Sequence, residues 1–352
     1  MLTKNTIKIN KRSVGKGFPV YIIAEMSANH HQNFEEAGKI IRAAAEAGAD
    51  AVKIQTYTAD TMTIDCSNKY FKIGKGTVWE GKGLYELYKE AYTPWEWQPE
   101  LKKIAEKLGM DLFSTPFDAS SVEFLEKMKV PVYKIASFEL TDIPLLKKVA
   151  RTGKPVIIST GMSTVSEINE AIKTLKKYGS GEIVLLKCTS AYPSLPEEMN
   201  LNTIADMIKK FKLPVGLSDH SLETAIPVAA LGLGACVIEK HFTLSRKVPG
   251  PDVTFSLEPD EFREMVRSIR IAEKALGKVS YKPSSAEKHS RVFRRSVFAV
   301  EDIKKGEKFT EKNIRVIRPS YGMHPRFYDT VLGKKALCSI CRGTPLKEKM
   351  IG

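Results

Sequence analysis

One unit recurs down this chain from residue 20 onward: a short apolar run, a polar ending, a helix-period stretch, and a Gly just ahead of the next apolar run. The runs are Tyr21–Ala24, Ala51–Ile54, Asp111–Phe113, Val132–Ile135, Val156–Ile158, Ile183–Leu186, Val215–Leu217 and Cys236–Ile238. Gly48, Gly109, Gly153, Gly179 and Gly234 stand where helix C-caps need a residue that tolerates positive φ. Strands that alternate with helices through short connections are parallel. Eight such units are the number that closes a (β/α)8 barrel, in about 250 residues. An open doubly wound sheet would not need eight repeats in so regular a row.

The 352 residues leave room for the barrel, expected over 1–280, and a small second domain. A Pro/Ser/charge-rich linker, YKPSSAEKHSR, runs from Tyr281 to Arg291. Residues 292–352 then change to short β-like runs (SVFAV, IRVIRP) with Lys305-Gly306 and Arg342-Gly343 turns, which reads as a small all-β module. One connection is far too long for a single helix: Gln55 to Asp111 holds an aromatic-rich stretch from Tyr57 to Trp97. Such insertions form lids or binding loops.

An odd count of five cysteines, with Cys66, Cys188 and Cys236 too scattered for a disulfide framework, and an N-terminus without an apolar signal core predict a cytoplasmic protein. No apolar run is long enough for a membrane helix. Cys338 and Cys341 have CxxC spacing but lack a second pair or a neighbouring His, which argues against zinc. The net charge of +14 raises nucleic acid or a small anion as partner. The lysines sit on helix-like solvated faces with no interleaved aromatics, so a phosphorylated or carboxylated small molecule is the better fit.

Strand C-termini of a barrel converge on one face, where active sites lie. The endings here are Glu25, Asn29 and His30; Lys53 and Gln55; Ser114 and Thr115; Lys134, Ser137 and Glu139; Ser159 and Thr160; Lys187, Thr189 and Ser190; Ser218, Asp219 and His220; and Glu239, Lys240 and His241. Lys53 and Lys134 with the hydroxyls of Thr115, Ser137, Ser159 and Ser218 would make an anion site. His220 and His241, ending neighbouring strands, can reach one metal ion and leave positions open for substrate oxygens. Imidazoles alone do not choose the metal. Glu25 and Glu139 supply carboxylates for proton transfer. An anion cradle, an electrophile-activating metal and two carboxylates fit a carbon–carbon bond-forming synthase. A barrel metallohydrolase, or a carbohydrate-binding protein with a silent barrel, are the alternatives.

The segments IIAEMSANH at 22–30, VKIQTY at 52–57, STPF at 114–117, YKIAS at 133–137, ISTGM at 158–162, GLSDHS at 216–221, EKHFT at 239–243 and PGPD at 249–252 resemble the sialic acid synthase family across the whole barrel. The tail resembles that family's antifreeze-like (SAF) domain. The resemblance implies condensation of phosphoenolpyruvate with an open-chain N-acetylated amino sugar, giving a nonulosonic acid and phosphate. It implies a divalent cation on His220 and His241, usually manganese with magnesium or cobalt as alternatives. Phosphoenolpyruvate would lie on Lys53, Thr115, Lys134, Ser137, Ser159 and Ser218. Glu25, Tyr192 and Asp252 would meet the sugar or the reacting centre, and Glu139 would activate water. Arg318 in IRPSYG matches an arginine that reaches the barrel of a partner subunit, implying a domain-swapped homodimer. CTSAYP with Ser190, SYGMHP after Arg318, EMSANHH and the TADTMTID segment resemble the pseudaminic acid synthase branch, whose sugar is 2,4-diacetamido-2,4,6-trideoxy-L-altrose. N-acetylneuraminate and N,N'-diacetyllegionaminate synthesis are the alternatives within the family.

Overall fold

The computed structural model describes residues 6–352, which form two compact units, the described residues up to Gly277 and Lys278–Gly352. The first opens with an antiparallel hairpin, β1 (Thr6–Ile9) and β2 (Arg12–Gly15). Eight parallel strands follow: β3 (Tyr21–Glu25), β4 (Ala51–Thr56), β5 (Asp111–Pro116), β6 (Tyr133–Ile135), β7 (Val156–Ser159), β8 (Ile183–Cys188), β9 (Val215–Asp219) and β10 (Val237–His241). They pair in chain order, and β10 returns to β3, so the barrel is closed. This is the (β/α)8 fold expected from the repeat. The strands are buried along nearly their whole length, with Gln55 and Lys187 only partly so. Near-continuous apolar runs are what parallel strands covered on both faces require.

Local chemistry starts and stops the intervening helices. Asn33, Asp118 and Asp142 accept from backbone N–H groups at the starts of their helices, and Thr164 forms a capping box with Glu167. Gly179 closes the helix Val165–Tyr178 at φ 126°, and a Cβ there would stand 2.9 Å from the Ala150 carbonyl oxygen. Among the described residues, no helix is long and apolar enough to cross a membrane.

The β1–β2 hairpin was not anticipated. It is fixed to the N-terminal ends of the strands: Arg12 bonds Asp50 at 2.7 Å and the Gly109 carbonyl at 3.0 Å, and Asn10 bonds Asp111 at 3.0 Å. Ile7, Ile9 and Val14 are buried there. The hairpin therefore covers the end of the barrel opposite the polar strand termini.

The long β4–β5 connection folds into the short helices Ala59–Met62 and Leu84–Ala91 with a tight loop between them, closed by Ile73 N–H to the Lys82 carbonyl at 2.9 Å. Trp79 donates its indole N–H to the Pro251 carbonyl at 2.8 Å. This bond ties the connection to the loop after β10.

The second unit is a small β module. It contains the antiparallel pair β11 (Ser296–Ala299) and β12 (Ile314–Ile317), with further isolated bridges around a core of Val297, Ile303, Phe309, Ile314, Ile340 and Leu346. The stretch expected as a linker carries the helix Ser285–Ser290, started by a Ser284/Glu287 capping box.

Candidate active site

Side chains alternate across each strand, so only every second residue of a polar ending can face the barrel interior. The contacts sort the endings accordingly. Lys53 Nζ lies 2.6 Å from Glu25 Oε2, 3.8 Å from Glu239 Oε1 and 3.2 Å from Thr115 Oγ1. Lys134 Nζ lies 3.3 Å from the same Glu239 oxygen, which also accepts from Ser218 Oγ at 3.3 Å. Glu25, Lys53, Thr115, Lys134, Ser218 and Glu239 thus form one buried network. Ser159 is beside it in sequence register, with a buried hydroxyl that has no partner, and Ser137 Oγ accepts from the Gly161 N–H at 3.0 Å.

The intervening residues face the other way. Lys240 and Asp219 pair at 2.5 Å, both fully buried, and Lys240 also bonds Ser221 at 3.2 Å. This pair serves the strand–helix layer. Asn29 bonds the Phe242 carbonyl and Ser256, each at 2.9 Å, and His30 bonds Thr93 at 3.1 Å. These strand-end residues are used in structure and do not join the network.

Glu239 is the residue that sequence reasoning left without a role. It is the shared counterion of both lysines, and its Oε2 is buried without a hydrogen-bond partner. A signal existed: Glu239 lies two residues before His241, so both face the interior, and two buried lysines require carboxylates. Burial disfavours the Glu239 carboxylate, but Lys134 and Lys53 more than offset it and hold its pKa below the usual range. Burial pushes Glu25 up despite Lys53. Lys53, which burial would discharge, is kept charged by Glu239 and Glu25, whereas burial wins at Lys134 and lowers it. Two ammonium groups and two carboxylates nearly cancel, so an arriving anion must be met by further positive charge or by protonation of Glu25.

The two imidazoles supply a place for that charge. The rings of His220 and His241 lie 5.4 Å apart. His220 Nδ1 is engaged by the Thr189 carbonyl at 2.9 Å, its ring also meets the Cys188 thiol, and His241 Nδ1 is buried with no hydrogen-bond partner. Burial among His220, Lys53, Lys134 and Lys240 keeps His241 neutral, the form that ligates. These features suit a divalent cation held by two imidazoles. Among the described residues no group of three or more His, Cys, Asp or Glu is arranged to hold a metal, so the protein would leave most of the coordination sphere to substrate and water. The Cys188 thiol, also without a sequence-level role, sits against His220. Burial pushes it up, but His220 pulls it down to about 6, and His220 is raised in return. A proton and a bound cation would therefore compete for His220.

Outside this network opens a cavity of about 390 Å³ lined by Ser27, Gln55, Glu139, His241, Asp252 and a wall of apolar and aromatic side chains. Gln55 donates to Glu25 at 3.2 Å and to Ser27 at 2.8 Å, and Ser27 in turn bonds Asp252. Tyr192 packs on His220, Phe255 and Trp79, with ring centroids 4.3, 5.1 and 5.5 Å away. Loss of solvent raises Glu139 to about 7, opposed by a backbone hydrogen bond and Lys134, and its Oε2 is enclosed without a partner. Arg318 belongs to the second unit and is exposed just after β12.

Fold and site together define a barrel with a buried lysine–carboxylate network beside a pair of imidazoles, and a solvent-shielded carboxyl group at the edge of a half-apolar cavity. Residues 40–281 match the NeuB family, and residues 294–352 match the SAF domain. The chain belongs to the NeuB family. It is 46% identical over 329 residues to the pseudaminic acid synthase of Campylobacter jejuni, covering 94% of this chain and 96% of that one. It is 44% identical over 330 residues to the pseudaminic acid synthase of Helicobacter pylori, covering 93% and 96%. Among solved structures, the N-acetylneuraminic acid synthetase of Leptospira borgpetersenii, in complex with citrate, superposes with a TM-score of 0.73 at 33% identity, covering 81% of this chain and 95% of that one.

Proposed function

We propose that this protein is a pseudaminic acid synthase, a transferase that condenses phosphoenolpyruvate with 2,4-diacetamido-2,4,6-trideoxy-L-altrose and releases phosphate. The observation that carries the reading is the adjacency of three parts: the Lys53–Lys134–Glu239 cradle, the His220–His241 pair, and a cavity holding Glu139. The similarity to pseudaminic acid synthases over nearly the full chain supports the choice of sugar.

In this reading Lys53 and Lys134, with Thr115, Ser137, Ser159 and Ser218, hold the phosphate and carboxylate of phosphoenolpyruvate. Glu25, Tyr192 and Asp252 orient the sugar so that its aldehyde carbon meets C3 of the enol. A divalent cation on His220 and His241, proposed as manganese with magnesium or cobalt as alternatives, would polarise the aldehyde oxygen when bound. Carbon–carbon bond formation leaves C2 electron-poor. Glu139 takes a proton from the water that adds there, and phosphate leaves with its bridging oxygen. A carboxyl group poised near 7 suits that exchange.

The barrel, 1–280, would carry the chemistry, and 292–352 would supply Arg318 to the mouth of a partner subunit in a domain-swapped homodimer. The protein would work in the cytoplasm on small molecules, without nucleic acid or membrane.

The test is phosphate release from phosphoenolpyruvate with manganese present, comparing the altrose derivative, N-acetylmannosamine and the legionaminate precursor, with a chelator control. Release with the altrose sugar alone, lost on chelation, is expected. Release with only another sugar would move the assignment within the family. Silence with all three would remove the synthase reading.

A further inference from the structure

The cavity is chemically two-sided. On one side stand Gln55, Glu139, His241 and Asp252, all borne by strand ends or the loops just after them. The other side is built by the β4–β5 connection. Met62 comes from the helix Ala59–Met62, Ile73 from the tight loop, and Leu84 and Leu87 from one face of the helix Leu84–Ala91. Leu87 is buried and the other three are half-buried, and none carries a hydrogen-bonding group. The connection braces itself: Tyr85 donates to Asp60 at 3.0 Å, and the Gly83 N–H donates to Glu86 Oε2 at 3.4 Å. The Trp79 N–H is already used by the Pro251 carbonyl, and the Tyr88 phenol, which also lines the cavity, is placed toward Glu139.

We propose that the wall of Met62, Ile73, Leu84 and Leu87 is the specificity determinant of the sugar site, selecting an amino sugar that ends in a methyl group where others carry a hydroxymethyl. The proposal rests on the synthase reading. The aldehyde must lie toward His241 and Glu139, so the far end of an open-chain sugar points at the side opposite them. A methyl group buries well there. A hydroxyl in the same place gives up water and gains no partner. A hydrophobic pocket rejects an isostere that adds one hydroxyl by about 100-fold.

The experiment uses two sugars that differ only at this position, 2,4-diacetamido-2,4,6-trideoxy-L-altrose and its 6-hydroxy analogue, with the full-length protein as purified. Each is followed in two ways: kcat/KM for phosphate release from phosphoenolpyruvate, and binding by tryptophan fluorescence, since Trp79 lines the cavity. The wild-type protein is expected to favour the deoxy sugar by about 100-fold. Met62→Gln and Leu84→Gln, both at half-buried positions that can accept an amide, should each shrink the ratio below about tenfold by improving the hydroxylated sugar, with the KM for phosphoenolpyruvate unmoved. Equal binding of the two sugars to wild-type protein, or a ratio unmoved in both variants, would overturn the proposal. Failure of the synthase reading looks different: no phosphate release with any sugar. Fluorescence would still report whether the wall discriminates.

Discussion

At the scale of single residues, the site works by placing like groups in unlike surroundings. Glu239 sits between two ammonium groups and is held as the carboxylate, whereas Glu139, stripped of solvent at the cavity edge, is raised to about 7. One is a counterion and the other can exchange protons near neutrality. If Glu139 is the base, only its ionised form acts, so kcat should climb with pH through about 7 and level off above it. Glu139→Gln should lower kcat by about 10²- to 10⁴-fold and erase that acidic limb. A pH–rate profile of both proteins measures this, and a limb surviving in the variant would assign it to another group. The sign is opposite for stability. A carboxyl raised on folding favours the native state most below its unfolded pKa, and that contribution is lost as pH rises toward 7, so Glu139→Gln should unfold at a higher temperature than wild type at pH 8 but not at pH 4.

At the scale of elements, strand parity separates function from framework. At the ends of β9 and β10, Ser218, His220, Glu239 and His241 share one side, and Asp219 and Lys240 share the other. Removing the ammonium with Lys240→Met leaves Asp219 charged, buried and unpaired, which should cost about 3–5 kcal/mol. Adding Asp219→Asn should recover most of it, because an amide oxygen can still accept the Ser221 N–H that Asp219 accepts at 2.9 Å. Denaturant melts of the single and double variants check this; equal losses would mean the pair is not the source. The same parity explains what the sequence made legible. Eight apolar runs with polar endings were enough for the barrel and for most residues of the network. Which half of each ending faces inward depends on the register of neighbouring strands, so Glu239 and Lys240, adjacent in sequence, could not be sorted before the pairing was known. The hairpin at the barrel's other end had a signal in the alternation of Ile7, Lys8 and Ile9 before Asn10, but no motif drew attention to it. The apolar wall had none, because Met62, Ile73, Leu84 and Leu87 follow no single period and converge only when the connection folds back on itself.

At the scale of the molecule, the part of the second unit turns on Arg318. The unit has its own core, and its Arg318 is exposed, carried just beyond β12, which pairs with β11. An exposed arginine held by a paired strand is suited to meeting an anion on another surface. If Arg318 completes the site of the partner's barrel, the two functions lie on different chains of each dimer. Arg318→Ala leaves a barrel that lacks the arginine from its neighbour, and His220→Ala leaves a barrel that lacks an imidazole but still offers Arg318. Each homodimer should then be nearly inactive. After unfolding and refolding together in equal amounts, half the dimers are mixed, and each mixed dimer holds one intact site, so about a quarter of wild-type activity should return by random pairing. If Arg318 serves its own chain instead, every mixed dimer contains one barrel without the imidazole and one without the arginine, and no activity returns. Mixing with a wild-type partner, which must give activity in either arrangement, controls for loss during refolding.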